Sequence, residues 1–271
     1  MKSALGLILG VSILAMAVGG CDNGGDDGGM DKPIPIAGAA NNAGSGTVLP
    51  MAGSTSTGGT GGGDLPAGVP LAATDGWVDG MSNTLMIQGA MFEYADPTSL
   101  MGMTKDFTGT NACIKGTAAK VDMKSAPCTS MMFTAPATDC YGEYWGAAIG
   151  LNLNQAIDPT TMMGGDPMPY DASAIKGFAF NITGAMVPTS LRFKVEDASG
   201  EFCSPAAKPV KLGANSFMFE DLIKECWAPK ATAANASTAK AGVIKIAWQV
   251  VTNAMGTVPF DYCVADLRAL Q

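Results

Sequence analysis

The chain contains no histidine. That absence removes every catalytic triad or dyad built on imidazole, and it removes the commonest zinc ligand. No Cys-x-x-Cys pair occurs, so no zinc site of ordinary spacing is expected. A Gly-x-Ser-x-Gly nucleophile elbow is also missing. Aromatic residues are absent from everything before Trp77. Positive charge is scarce: sixteen Lys and Arg stand against twenty-four Asp and Glu. That balance speaks against nucleic acid, or an anionic membrane surface, as the electrostatic partner.

The one long apolar run, Ala4 to Val18, follows Lys2 and ends in Gly19, Gly20 and Cys21. It is too short for a comfortable membrane span and has the basic start and small-residue finish of a cleaved export signal. This arrangement resembles a bacterial lipoprotein signal peptide. The resemblance implies that residues 1–20 are removed, that Cys21 carries palmitate-type acyl chains, and that the protein is exported and lipid-anchored to the cell envelope, at the outer membrane or cell surface.

Residues 21–75 read as a tether. Between Asp22 and Asp75 there are fourteen glycines and no aromatic side chain. Such a stretch buries too little apolar surface to offset the entropy of ordering it. As a random coil it spans roughly 40 Å, enough to hold a domain clear of a bilayer. Its glycine runs lack the flanking strand and helix that a phosphate-binding loop requires.

Residues 76–271 have normal apolar content and a length that suits one all-β domain. With eighteen acidic residues against fourteen basic ones, this part carries a formal charge of −4. Apart from Cys21 the chain has six cysteines, an even number that in an exported protein points to disulfides. Six permit fifteen pairings. Cys128 with Cys140 and Cys203 with Cys226 would each staple a local loop, leaving Cys113 to meet Cys263 in the last strand.

Alternation is clearest at Leu191 to Glu196, where Leu191, Phe193 and Val195 interleave with Arg192, Lys194 and Glu196. One face must be buried and the other wet, so Arg192 and Lys194 are expected to face solvent. The same period runs through Phe178, Phe180 and Ile182, and through Ile149, Leu151 and Leu153. Further strands are expected at Leu85 to Tyr94, Cys113 to Val121, Ser216 to Glu220, Val243 to Thr252 and Phe260 to Leu267, between Pro-, Gly- and Asn-rich turns. Only Glu220 to Trp227 reads as a helical turn. Many short strands with almost no helix predict an all-β fold, a two-sheet sandwich or jelly roll.

Several phrases carry a family resemblance. They are Cys113 to Ala118, Trp145 through Leu153 to Asn154, Tyr170 to Ser173 leading into Lys176 to Phe180, the strand through Arg192, Phe217 to Leu222, and Ile244 to Gln249 before Phe260 to Cys263. In their order they resemble the galactose-binding-like jelly rolls of carbohydrate-binding modules and exported lipoproteins. The resemblance implies that fold, sugar binding and, in many relatives, a structural calcium ion. Asp158, Asp166 and Asp171 are the acidic loop residues available to such an ion, without EF-hand spacing. No other cofactor is expected, and the close methionine pairs are assigned to packing and not to copper.

Sugar binding needs aromatic faces and a few fixed polar groups. Tyr141, Tyr144 and Trp145 cluster before a strand whose polar side shows Asn152 and Asn154. Arg192 and Gln249 mark two further polar faces. Trp248 keeps phase with Ile244 and Ile246 and reads as core. For hydrolysis by two carboxylates, the candidates Glu143, Asp171, Glu196, Glu220 and Asp221 show no spacing that singles out a pair. The sequence reading is therefore a non-catalytic, lipid-anchored envelope protein that binds an extracellular glycan or similar surface ligand. The alternatives are a structural or assembly component that binds an envelope protein and, third, a carboxylate-based glycoside hydrolase.

Overall fold

A computed structural model describes residues 64–120, 144–160, 164–224, 226, 235–253 and 255–271. Cys21, Cys128, Cys140, Tyr141, Glu143 and Trp227 lie outside the described residues. Three two-residue strands come first, β1 (Val69–Pro70), β2 (Ala73–Thr74) and β3 (Trp77–Val78). They are followed by β4 (Gly89–Ala95), the short helix α1 (Pro97–Leu100), β5 (Thr104–Asp106) and β6 (Cys113–Ala118). The remaining strands are β7 (Ala147–Asn152), β8 (Gly177–Met186), β9 (Leu191–Asp197), β10 (Gly200–Cys203), β11 (Gly213–Met218), β12 (Ile223–Lys224), β13 (Val243–Val250) and β14 (Val258–Leu270).

Among the described residues these strands form two antiparallel sheets. One has six strands, ordered β11-β8-β14-β6-β5 with β1 added to β14. The other has eight, ordered β12-β10-β9-β13-β7-β4-β3-β2. The fold is a two-sheet β-sandwich of the jelly-roll kind, and its core follows from alternation. Phe178, Phe180 and Ile182 point inward from β8, Leu191, Phe193 and Val195 from β9, and Ile246, Trp248 and Val250 from β13, all of them buried. Their rings interlock: Phe180 meets the edge of Trp248 with centroids 5.3 Å apart, and Phe193 stacks on Phe217 at 5.5 Å. Each such ring removed from water stabilises the fold by roughly 1.5–3 kcal/mol.

The domain starts earlier than the boundary at Gly76 expected from composition. β6 stops pairing at Cys113, opposite Cys263, which leaves the last residues of β14 with an open edge. β1 takes that edge, with Val69 opposite Ala269, and Leu71 behind it is only 2% exposed. The short apolar stretch Val69 to Leu71 therefore belongs to the sandwich, although the glycine-rich composition around it resembles the tether.

The helical turn expected over Glu220 to Trp227 is one 3-10 turn at Phe219–Asp221, after which Ile223–Lys224 pairs with β10. Asp221 limits the turn by accepting from Met218 N–H at 2.7 Å, and Leu222 then turns into the core. Two disulfides join described residues. Cys113 and Cys263 sit directly opposite each other on β6 and β14, closing 150 residues, and Cys203 is bonded to Cys226 across 23. In the chain-entropy model the long closure stabilises by about 5 kcal/mol.

Candidate functional site

The outer face of the eight-stranded sheet departs from the usual polar exterior. β4 turns Met91 inward and sends Phe92 and Tyr94 outward, while Glu93, between them, pairs at 2.7 Å with Lys105 of the facing sheet. Trp145 enters from the segment before β7. Phe92 and Tyr94 lie 5.6 Å apart, and Tyr94 and Trp145 5.3 Å, each pair tilted by about a third of a right angle or slightly more. The three half-buried rings thus form a continuous run.

Small residues make this run possible. Across the sheet, Phe92 is opposite Gly150, which is opposite Ala247; Tyr94 is opposite Ala148, which is opposite Gln249. The Phe92 ring lies directly over Gly150, where an added Cβ would come within 2.6 Å of its Cζ. A floor of Gly150, Ala148 and Ala247 lets the rings lie down on the sheet without standing away from it.

Charge borders the rings on the other side. Glu196 on β9 holds Lys245 of β13 at 2.9 Å, and the Lys245 ammonium also sits 5.2 Å over the Tyr94 ring. A cation over an aromatic face is attracted by the ring quadrupole. Glu201 on β10 lies opposite Glu196 and holds Lys194 at 2.6 Å. Burial pushes the Tyr94 hydroxyl well above its ordinary value, and the Glu201 and Glu196 carboxylates push it further the same way. That hydroxyl is buried with no hydrogen-bond partner among the described residues. Burial also pulls the Lys194 ammonium below the usual lysine range, and Glu201 opposes the shift.

Lys194 corrects a sequence expectation. It lies on the outer side of its strand but is only 3% exposed, because the neighbouring β10 brings Glu201 to its ammonium and Ala247 and Cys203 flank it. Arg192 shares the face, half-buried and opposite Gln249.

The amides expected to meet a ligand are engaged inside the protein. Asn152, 5% exposed, donates at 3.0 Å to Gln155 Oε1, which also accepts from Ala90 N–H at 2.9 Å. Asn154 donates to the Pro169 carbonyl at 2.9 Å. Gln249 donates at 2.9 Å to the Trp145 carbonyl, and Thr252 donates its hydroxyl proton to the Tyr144 carbonyl. Gln249 therefore holds the strand entry that carries Trp145. Trp248, on the opposite phase, is fully buried in the core.

Phe92 and Tyr94 were not singled out from sequence. Their strand was expected, and their spacing of two with Glu93 between was the available signal: it places aromatic rings on one face and a carboxylate on the other. Which face met the core depended on the opposite sheet.

Asp158 accepts from Thr160 N–H at 2.7 Å and Asp171 from Ser173 N–H at 2.9 Å, each closing a local turn, and Asp166 is exposed. Among the described residues, no group of three or more acidic or cysteine side chains is arranged to hold a metal. No helix among them is long and apolar enough to cross a membrane.

No protein-family model matches the chain, and no curated protein matches it. Among solved structures it is similar to a family 11 carbohydrate-binding module from Clostridium thermocellum in complex with a β-1,3-1,4-mixed-linked tetrasaccharide. Identity is 9%, coverage 76% of this chain and 97% of that one, and the TM-score 0.38. It is also similar to the family 11 module of the cellulosomal cellulase Lic26A-Cel5E of the same organism, at 10% identity, 66% and 86% coverage and TM-score 0.34. An exo-β-agarase is matched at 9% identity and TM-score 0.31, the match covering 76% of this chain but only 23% of that enzyme.

Proposed function

We propose that the protein is a non-catalytic, lipid-anchored envelope component that binds an extracellular glycan on the outer face of its eight-stranded sheet. The observation that carries this reading is the run Phe92, Tyr94 and Trp145, three rings 5.3–5.6 Å apart lying on a floor of small residues. A sandwich core does not need aromatic rings on its outer face, whereas successive pyranose rings stack on such a surface. Charged residues beside the rings supply donors and acceptors for hydroxyls, as sugar sites require. The carboxylates of this face support a binding role over hydrolysis. Glu196 and Glu201 each hold a lysine, and neither is left as a free acid beside the rings. Anchoring through Cys21 and export belong to the same proposal and rest on the signal-peptide pattern.

The test is affinity electrophoresis of the full chain in gels containing mixed-linkage β-glucan, agarose, xylan or cellulose derivatives, comparing wild type with Trp145→Ala. Retardation by at least one polysaccharide, reduced tenfold or more in apparent affinity by Trp145→Ala, is expected. Equal retardation of both proteins removes the aromatic face as the site. Absence of retardation in every gel overturns the glycan reading and favours a protein partner.

A further inference from the structure

Asp96 is fully buried at the end of the strand that carries Phe92 and Tyr94. Its Oδ1 accepts from Thr98 N–H at 3.0 Å and Ser99 N–H at 2.8 Å, capping α1. Its Oδ2 accepts from the Ser99 hydroxyl at 2.9 Å and from Gly146 N–H at 2.6 Å. The Asp96 backbone N–H also donates to the Gly146 carbonyl at 2.9 Å. Gly146 adjoins Trp145 and has φ of +108°, and a Cβ there would fall 1.9 Å from the Val250 carbonyl oxygen. No other residue type fits that turn without rearrangement. The peptide group that follows Trp145 is thus clamped from both sides, by Gln249 on its carbonyl and by Asp96 on its N–H.

We propose that Asp96 is the positioning residue of the aromatic face: by fixing Gly146 it sets the direction in which Trp145 leaves the chain, and so the stacking of Trp145 on Tyr94. The proposal rests on the glycan reading for its consequence in binding, but not for its structural content. A helix of four residues hardly calls for a buried carboxylate, since an exposed serine caps a helix comparably well. What a serine lacks is the second oxygen that reaches Gly146.

Asp96→Asn separates these roles. Its amide oxygen still accepts from Thr98 and Ser99, but the NH2 group confronts Gly146 N–H, donor against donor. Ser99→Ala is the control. It removes a hydrogen bond from the same carboxylate, and the acceptor of Ala119 N–H, without altering the Gly146 contact. The readouts in the full chain are retardation by the polysaccharide that retains wild type and the near-ultraviolet circular dichroism band lost in Trp145→Phe, which reports ring stacking without any ligand.

Asp96→Asn is expected to lose that band and to bind at least tenfold more weakly, while Ser99→Ala keeps both. Retention of the band in Asp96→Asn overturns the proposal, as does its equal loss in Ser99→Ala. Loss of the band in Asp96→Asn alone, in a protein whose wild type binds none of the polysaccharides, upholds the positioning role and discards the glycan reading. If Asp96→Asn does not fold, Asp96→Ser replaces it, retaining a capping oxygen. Failure of both to fold makes Asp96 a folding determinant and overturns the proposal.

Discussion

Gly150→Ala tests the arrangement of the aromatic face through a single methyl group. Gly150 lies in the interior of β7, and the new Cβ would stand 2.6 Å from Phe92 Cζ and 3.0 Å from both ring Cε atoms. The clash is with a side chain and not with backbone, so the sheet can stay intact while the ring lifts. Two effects then compete. Overpacking of this kind costs about 1–3 kcal/mol, whereas replacing glycine in extended backbone returns about 0.4–1 kcal/mol by restricting the unfolded chain. The net expectation is a destabilisation of about 0.5–2 kcal/mol, with a much larger relative loss of polysaccharide binding because the ring no longer lies in the run. In Phe92→Ala the obstacle is gone, and Gly150→Ala made in that background should be neutral or stabilising. A double-mutant cycle by urea denaturation should therefore give a coupling of about 1–2 kcal/mol between the two positions. A coupling within about 0.3 kcal/mol of zero, the range in which independent sites add, would refute the placement of Phe92 over Gly150.

Two further expectations concern pH and anchoring. Burial raises the pKa of both Tyr94 and Tyr262, the latter also donating to the Trp248 carbonyl at 2.7 Å. Unfolded tyrosines ionise near about 10, so both groups are neutral in both states below that pH and their contribution is complete there. Above it the unfolded chain loses protons that the folded one keeps, and stability should fall with rising pH by up to about 3 kcal/mol per pH unit for the pair. Lys194, shifted downward, contributes the opposite slope only until the unfolded lysine value of about 10.4 is passed. Absorbance at 295 nm should show these tyrosines ionising together with unfolding; ionisation without loss of the far-ultraviolet signal would contradict their burial. For anchoring, Cys21→Ser should release the protein from detergent-extractable membranes into the soluble fraction, and a mutant that stays with the membranes would end the lipoprotein reading.

Much of the architecture was legible because a strand has a period of two. Leu191, Phe193 and Val195 against Arg192, Lys194 and Glu196 fixes two faces without any knowledge of neighbours, and the same holds for Phe178, Phe180 and Ile182. The absence of histidine restricted the chemistry, again independently of fold. Alternation does not say which strand lies alongside. Lys194 reads as a solvated charge until β10 brings Glu201 to it, and Asn152 reads as a ligand-facing amide until Gln155 accepts its proton.

The candidate site depended on sheet order even more. Phe92 and Tyr94 are more than fifty residues from Trp145 in the chain and meet it because β4 pairs with β7, whose Gly150 and Ala148 leave the rings room to lie flat. Asp96 caps α1 through one oxygen, but nothing local announces that its second oxygen reaches Gly146. Likewise Val69 to Leu71 joins the sandwich only because β6 ends short of β14 and leaves an edge to fill. The sequence by itself determined the strongly alternating strands, their two faces and the chemistry that a chain without histidine lacks. Tertiary structure alone decided which outward side chains were buried, paired or gathered into a face, because cross-strand neighbours are set by sheet order and not by distance along the chain.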